Sequence, residues 1–338
     1  MKRFLRPLLL LAATGLLGAC ETPIFSEAQT LGGQTISAEE LNRGYELYML
    51  NCYACHGEKG DGRGPAAPGL RPPPRNFTQA LFKFTRTMDP EDDGHTLPSD
   101  AGLLRIIKRG LHGTPMLAWA LTDQEFLPII QYIKTFSDEW KTRHPGAELE
   151  ISPDPFAGDK AAAGVAKGEQ VYYKLARCWS CHPSYVTMER FHALTGQDPR
   201  NEVRDNHYRS ELKASQHEVP LGDGSTYKVK SLPTDFLSQE VRSIHEIEDV
   251  YRILGTGIGG TAMPQWKGSL QEEDLWALTH YTYSLIQLRD TPAGATLKAK
   301  LNAQPKWEPP PPPPPPEPPA EPALGAEGGA AAPAPKNP

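Results

Sequence analysis

Cys52-Tyr53-Ala54-Cys55-His56 and Cys178-Trp179-Ser180-Cys181-His182 are two copies of one motif, Cys-x-x-Cys-His. They use four of the five cysteines in the 338-residue chain, and the fifth is Cys20. Five cysteines in an exported protein would ordinarily suggest disulfides with one thiol left over. The repeated spacing, with a histidine directly after each pair, instead assigns one chemical role to each motif.

That role is covalent attachment of haem c, for which Cys-x-x-Cys-His is the known pattern. Two thiols at this spacing can form thioethers with the two vinyl groups of one haem, and the adjacent histidine can bind the iron. A redox dithiol would not need the histidine, and a zinc site would need four converging ligands. The sequence therefore predicts two covalently attached haem c groups, bound through Cys52, Cys55, His56, Cys178, Cys181 and His182.

The second axial ligands are predicted to be Met116 and Met263, because only these two of the six methionines have matching surroundings. Arg, Ile, Gly, Gly, Thr and Met recur at identical spacing in 105–116 and 252–263, and a tryptophan follows three residues after each Met. Thioether sulfur opposite histidine raises the reduction potential of the iron, which suits electron transfer. His112 is the alternative ligand at the first site, and core packing is the alternative role for a methionine.

The repeat extends beyond the ligands, so we define unit 1 as 37–142 and unit 2 as 164–290. Gly44 and Tyr48 before the first motif match Gly168 and Tyr172 before the second, with the glycine four residues ahead of the tyrosine in each unit. Ser37 predicts the start of a helix before the first motif. After each methionine another helix is predicted, beginning at the capping boxes Thr122-x-x-Glu125 and Ser269-x-x-Glu272. Pro128 is expected to interrupt the first of these two helices.

At these residues the chain resembles the class I cytochrome c family, present twice in tandem. The resemblance implies an all-α fold with long loops around each haem. It also implies that the first and last helices of each unit cross through a glycine and aromatic side chains, namely Gly44, Tyr48 and Tyr132 in unit 1 and Gly168, Tyr172 and Tyr281 in unit 2.

The resemblance further implies a backbone carbonyl near Pro65 that accepts the proton of the proximal histidine. In unit 2 no glycine-rich stretch follows His182, so the corresponding acceptor is not predicted. Arg75 is either a partner for a haem propionate or a solvated loop residue.

The N-terminus reads as a secretory signal. Lys2, Arg3 and Arg6 precede a short apolar run that ends in Leu17-Gly18-Ala19-Cys20. This ending resembles a bacterial lipobox, which implies cleavage after residue 19 and lipid on Cys20; an ordinary signal peptide cut near Ala19 is the alternative. The expected location is the periplasmic side of a bacterial membrane, and which membrane stays open.

Four further segments complete the predicted organisation. Residues 20–36 are expected to be a tether above the lipid, and 143–163 a linker between the units. The 185–245 stretch, which holds His192, His207, His217 and His245, is expected to be a mostly solvated insertion. From 291 to 338 a disordered tail is predicted, with eight consecutive prolines at 309–316 that favour polyproline II and serve as a spacer or a docking strand.

The composition excludes one class of partner and leaves others open. A net charge of −6 is a poor match to nucleic-acid binding. We expect a membrane-anchored dihaem electron carrier or complex subunit rather than an enzyme. Its redox partners would be a quinol-oxidising complex or dehydrogenase as donor and a terminal oxidase or reductase as acceptor. The alternatives are a dihaem peroxidase-like enzyme, which needs one displaceable sixth ligand, and a haem-based sensor that uses the proline-rich tail as a contact.

Overall fold

The computed structural model describes residues 23–88, 96–198, 217–220, 226–229, 233–305 and 308. The predicted signal peptide, Cys20, His207 and the proline run lie outside this part of the chain. The described residues are rich in helix, as the all-α prediction requires. The α-helices are α1 (Ala38–Asn51), α2 (Tyr53–His56), α3 (Asp100–Arg109), α4 (Asp123–Lys134), α5 (Glu139–Thr142), α6 (Ala161–Gln170), α7 (Met188–Thr195), α8 (Ile247–Thr256), α9 (Glu272–Leu288) and α10 (Pro292–Asn302).

The described residues also form two small antiparallel hairpins. Strands β1 (Gln29–Leu31) and β2 (Gln34–Ile36) form the first, and β3 (His217–Pro220) and β4 (Thr226–Val229) form the second. The first hairpin corrects the prediction of a tether, because Leu31 is fully buried and the Gly32 N–H donates to the Trp140 carbonyl. Gly32 and Gly33 both have positive φ, which a tight hairpin turn requires.

The described residues form two hydrophobic cores, one beside each Cys-x-x-Cys-His motif. The first joins β1, α1, α4 and α5, and its fully buried members include Leu41, Phe126 and Ile129. The second joins α6, α8 and α9, with Tyr251, Leu275 and Leu278 fully buried. Apolar side chains at helical spacing in both units therefore account for the core that sits behind each motif.

The predicted crossing of first and last helices is confirmed in both units. A Cβ on Gly44 would lie 2.1 Å from the carbonyl oxygen of Pro128, and a Cβ on Gly168 would lie 2.0 Å from that of Ala277. The ring centroids of Tyr48 and Tyr132 are 5.2 Å apart. Those of Tyr172 and Tyr281 are 5.3 Å apart, so each pair of helices touches backbone to backbone beside an edge-to-face tyrosine pair.

Gly168→Ala is accordingly expected to lower the free energy of unfolding by about 1–3 kcal/mol, the usual cost of overpacking. Helix propensity alone would change stability in the other direction by up to about 1 kcal/mol, so a loss isolates the clash with α9. Denaturant unfolding of the haem-loaded protein, followed by far-UV circular dichroism, measures the difference. The exposed Ala162→Gly on the same helix is the control for propensity, and an unchanged or raised midpoint for Gly168→Ala would contradict a close crossing.

The route from the crossing tyrosine to the motif differs between the units by two residues. Tyr48 stands four residues before Cys52, whereas Tyr172 stands six before Cys178. The structure absorbs the difference in a π-helical turn at Val171–Leu175 and in Arg177, whose φ is +50°. The two tyrosines therefore keep one role: Tyr48 donates to the carbonyl of Gly57, and Tyr172 donates to that of Pro183, the residue after each motif histidine.

Both the predicted linker and the predicted insertion pack against the second core. Leu149 and Phe156 are buried there, and the Trp276 indole N–H donates to the Ser152 carbonyl. Within 185–245, Phe191 on α7 is fully buried and Phe236 is nearly so. The described part of the insertion therefore contributes to the second core, contrary to the prediction of a mostly solvated segment. Burial of its large aromatic side chains stabilises the fold.

Three sequence predictions about the helices are confirmed, and three are wrong. Ser37 accepts from the Glu40 N–H, Thr122 and Glu125 form a capping box, and Leu275, Leu278 and Thr282 are buried. Helix α4 continues through Pro128, contrary to expectation. The Ser269 capping box was wrong, because α9 begins at Glu272. Residues 292–302, predicted as tail, form α10, capped by Thr291 with Pro292 in its first turn.

None of the helices in the described part of the chain has the length and the apolar run that a bilayer span requires.

Candidate functional site

One cavity of about 1070 Å³ brings together all eight residues that the sequence singled out. Both Cys-x-x-Cys-His motifs line its wall, with Met116 and Met263 among its other lining residues. The cavity is walled by residues from both units, so the two candidate sites are continuous with each other. Each of the four cysteines in the described part of the chain is free of disulfide bonds, as thiols that bond to a haem must be.

The two motif histidines are held in the same way. The Nδ1 of His56 lies 3.0 Å from the carbonyl oxygen of Arg75, and the Nδ1 of His182 lies 2.9 Å from that of Thr234. A carbonyl only accepts, so each Nδ1 carries the proton and each Nε2 keeps its lone pair. This is the orientation in which a metal-binding histidine is normally fixed by a carbonyl.

An aromatic ring packs on each of these imidazoles. Phe77 stacks on His56 with centroids 4.4 Å apart, and Phe236 stacks on His182 at 5.0 Å. Burial lowers the pKa of His56 to about 4, against the opposing effect of its bond to Arg75. The imidazole is therefore neutral at physiological pH, as an iron ligand must be.

The expectation of a proximal carbonyl near Pro65 was wrong, and Arg75 takes that role. The glycine-rich stretch folds back on the motif, where the Ala66 N–H donates to the Ala54 carbonyl and a Cβ on Gly62 would lie 2.9 Å from the Pro74 oxygen. The chain at Arg75 is thereby brought against His56. A sequence signal for both acceptors existed: Pro74-Arg75-Asn76-Phe77 and Pro233-Thr234-Asp235-Phe236 share Pro, an Asn or Asp, and Phe at equal spacing.

The loops that carry the two methionines are built identically. Thr114 Oγ1 donates to the Leu111 carbonyl and accepts from the Met116 N–H at 3.1 Å. Thr261 Oγ1 donates to the Ile258 carbonyl and accepts from the Met263 N–H at 3.1 Å. The recurrent Gly-Thr-x-Met pattern thus fixes the backbone of each methionine, and the sulfur is the soft ligand on a preformed loop.

Each loop also needs the glycine that ends the preceding helix. Gly110 and Gly257 have φ values of +70° and +74°, which L side chains rarely adopt. A Cβ on Gly110 would lie 2.6 Å from the Ala118 nitrogen, and a Cβ on Gly257 would lie 2.6 Å from the Met263 oxygen. The methionine loop therefore turns back over the end of its own helix, α3 in unit 1 and α8 in unit 2.

The other candidate histidines are placed away from ligand positions or at the edge of the cavity. His112 lies at the cavity wall but is exposed, and its ring packs against His245 with centroids 4.1 Å apart. His192 bonds to the Gln197 carbonyl. The side chains of His207 and His217 lie outside the described residues. Among the residues that are described, no group of three or more His, Cys, Asp or Glu side chains is arranged to hold a metal ion.

The wall of the cavity matches the chemistry of haem. Its surface is largely apolar, as a porphyrin requires, and Arg75, Lys83 and Arg242 add positive charge that suits propionate carboxylates. Burial, and then the neighbouring Arg75 and Arg242, lower the pKa of Lys83 to about 8, so an anion beside these cations would be stabilised. Burial also raises the pKa of the Cys52 and Cys178 thiols to about 12. The donor set of imidazole, thioether and paired thiols fits haem c.

Residues 41–137 match the family model of cytochrome c. Over these residues the chain is similar to a cytochrome c domain. This family implies covalently bound haem c and haem-based electron transfer. The chain has no significant match among curated protein sequences.

A solved chain of the Kuenenia stuttgartiensis reducing HAO-like protein complex is similar to this one in fold and sequence. The TM-score is 0.54, the sequences are 27% identical, and the match covers 72% of this chain and 96% of that chain. A match of that extent is much longer than 41–137, so the likeness continues beyond the cytochrome c domain.

Proposed function

We propose that the chain is a dihaem c-type cytochrome with two class I cytochrome c-like domains in tandem. One haem would be attached to Cys52 and Cys55 with His56 and Met116 as axial ligands. The other would be attached to Cys178 and Cys181 with His182 and Met263. The observation that carries the proposal is the single cavity lined by both complete sets of ligands.

The repeated geometry supports an electron carrier rather than an enzyme. Haem, when bound, supplies a one-electron couple. The chain's own part is to fix each imidazole through the carbonyls of Arg75 and Thr234 and each thioether through Thr114 and Thr261. A braced ligand on both sides of the site changes little between oxidation states, which keeps the rearrangement for electron transfer small. A peroxidase-like enzyme needs one ligand that leaves, and both methionine loops are built alike.

The proposal extends to location and partners. The sequence at 17–20 favours lipid on Cys20 and anchoring on the periplasmic side of a bacterial membrane. The donor would be a quinol-oxidising complex or a dehydrogenase, and the acceptor a terminal oxidase or reductase. Because the similar solved chain belongs to a protein complex, a role as a fixed subunit is favoured alongside that of a free carrier.

Anaerobic spectroelectrochemical titration of the haem-loaded protein tests the function. We expect two irons per chain, both low-spin, both with the charge-transfer band of methionine-ligated ferric haem, and both high in potential. One high-spin haem, or one of low potential that lacks the methionine band, would overturn the carrier assignment for that site. Peroxide reactivity at that haem would then favour the enzyme alternative.

A further inference from the structure

The loop that carries each methionine lies against the other unit. The His112 N–H, four residues before Met116, donates to the Arg242 carbonyl at 2.7 Å. The Gly259 N–H, four residues before Met263, donates to the Lys83 carbonyl at 3.0 Å. The same position of each methionine loop therefore makes a backbone hydrogen bond across the boundary between the units.

The two acceptors also occupy the same position in their own units. Lys83 stands eight residues after Arg75, and Arg242 stands eight residues after Thr234. The carbonyls of Arg75 and Thr234 are the ones that hold His56 and His182. Exchanging the two units converts one of these hydrogen bonds into the other, as expected at an interface with approximate two-fold symmetry. Each segment, 75–83 or 234–242, thus holds the histidine of its own site at one end and the methionine loop of the other site at its far end.

Packing at these contacts leaves no room for side chains. A Cβ on Gly259 would lie 2.3 Å from the Phe82 carbonyl oxygen, and a Cβ on Gly260 would lie 2.6 Å from Leu81 Cδ2. On the other side, a Cβ on Gly113 would lie 3.0 Å from Glu240 Oε2. The glycines of the Gly-Thr-x-Met pattern therefore serve close approach between units as well as loop geometry.

Side-chain bonds close the same boundary. The Arg86 guanidinium donates to the Thr256 carbonyl at 3.1 Å, directly before Gly257 and the start of the Met263 loop. Arg109, directly before Gly110, donates to Glu246 at 3.0 Å and to the buried Asp249 at 3.3 Å. Hydrogen bonds to charged groups contribute more than neutral ones, and both of these arginines bond where a methionine loop begins.

We propose that these contacts form a reciprocal brace: each unit holds the methionine loop of the other, so that iron–methionine ligation at either haem depends on the docking of both units. The brace consists of the segments 81–86 and 240–246 with the loops that they contact. This inference rests on the proposed function, because it needs methionine as the sixth ligand. It makes Arg86 a positioning residue for a haem whose protein ligands all belong to the other unit.

A neutral thioether is a weak ligand, so its loop decides how readily another ligand displaces it. Inside its own unit, the Met263 loop is held by Thr261 and by the end of α8. The bonds from Lys83 and Arg86 add two fixed points from outside. Loss of one such bond is expected to raise the affinity of that haem for an added ligand about tenfold.

The experiment measures imidazole binding to the ferric haems of the full-length, haem-loaded protein. Each haem is followed through the methyl signal of its axial methionine in the oxidised protein, assigned with Met116→Leu and Met263→Leu. Arg86→Gln is the decisive variant because it lies in unit 1 and reports on Met263 in unit 2. Gly259→Ala is the second variant, which places a methyl group against the Phe82 carbonyl. Arg43→Ala, an exposed arginine on α1 that pairs with Glu46, is the control.

We expect both variants to raise the imidazole affinity at the Met263 haem about tenfold and to shift or broaden its methyl signal. Arg43→Ala should change neither. Unchanged affinity and signal at Met263 in Arg86→Gln would overturn the brace. If the unaltered protein shows no methionine methyl signal at either haem, the proposed function itself fails. The two failures are therefore distinguishable.

Discussion

Met263→Leu is expected to convert one of two haems from six-coordinate and low-spin to high-spin. Leucine keeps the size and apolar character of methionine and has no sulfur, so the change removes the ligand with little effect on packing. The potential of that haem should fall by a substantial part of the roughly 0.8 V range that axial ligands cover. Carbon monoxide should then bind to about one haem per chain.

Electronic absorption, magnetic circular dichroism and a redox titration measure these changes. Met49→Leu is the matched control, because Met49 packs against the first core and does not line the cavity. It should leave both haems low-spin and both potentials in place. If Met263→Leu keeps two low-spin haems of unchanged potential, another residue is the sixth ligand and the assignment of Met263 is wrong. Met116→Leu applies the same reasoning to unit 1, with His112 as the rival.

The features that follow from local sequence could be predicted. Each motif, each Gly-Thr-x-Met loop and each glycine–tyrosine pair of crossing helices is a short pattern, and each occurs twice at nearly the same spacing. The structure confirms the helix crossings and brings all eight predicted ligands to one cavity wall. These predictions were possible because each short pattern occurs twice in one chain, and two matching copies are far less expected by chance than one.

The features that depend on distant partners could not be predicted in the same way. Residues 29–36 form a hairpin whose Gly32 N–H donates to the carbonyl of Trp140, which is remote in sequence, and whose Leu31 is fully buried. The carbonyl that meets His56 is set by the path of a long loop, and that path depends on close backbone contacts at Gly62. Strand and loop stability of this kind comes from tertiary packing more than from intrinsic preference.

The sequence contains a signal for the contacts between the two units, but the signal can be recognised only once the structure is known. Arg75 and Lys83 are spaced as Thr234 and Arg242 are, within segments that otherwise share little beyond Pro, Asn or Asp, and Phe. Length differences hid the match, because 185–245 adds a helix and more chain before Thr234. Once His56 and His182 fix the register, the equivalent positions coincide. The two units therefore keep equal spacing between the residues that make the contacts, while the length of chain elsewhere differs.

The second large effect is expected from Cys178→Ser combined with Cys181→Ser. Serine cannot form the thioethers, so covalent haem should fall from two groups per chain to one, measured by iron content and by haem that stays bound after denaturation and acid–acetone extraction. Ser180→Ala, inside the same motif, should keep two. Cys52→Ser with Cys55→Ser should likewise leave one. Two covalent haems in either double variant would contradict the assignment of that motif.

The same double variant connects the count of haems to the coupling of the units. Without haem in the second site, Phe236 and Leu254 would line an apolar wall that faces water. The segment 233–246 would then lose the packing that holds it in position. That segment carries the Arg242 carbonyl, which receives the His112 N–H before Met116. The remaining haem should therefore bind imidazole more tightly than the same haem does in the unaltered protein, although all four of the residues that hold it are intact.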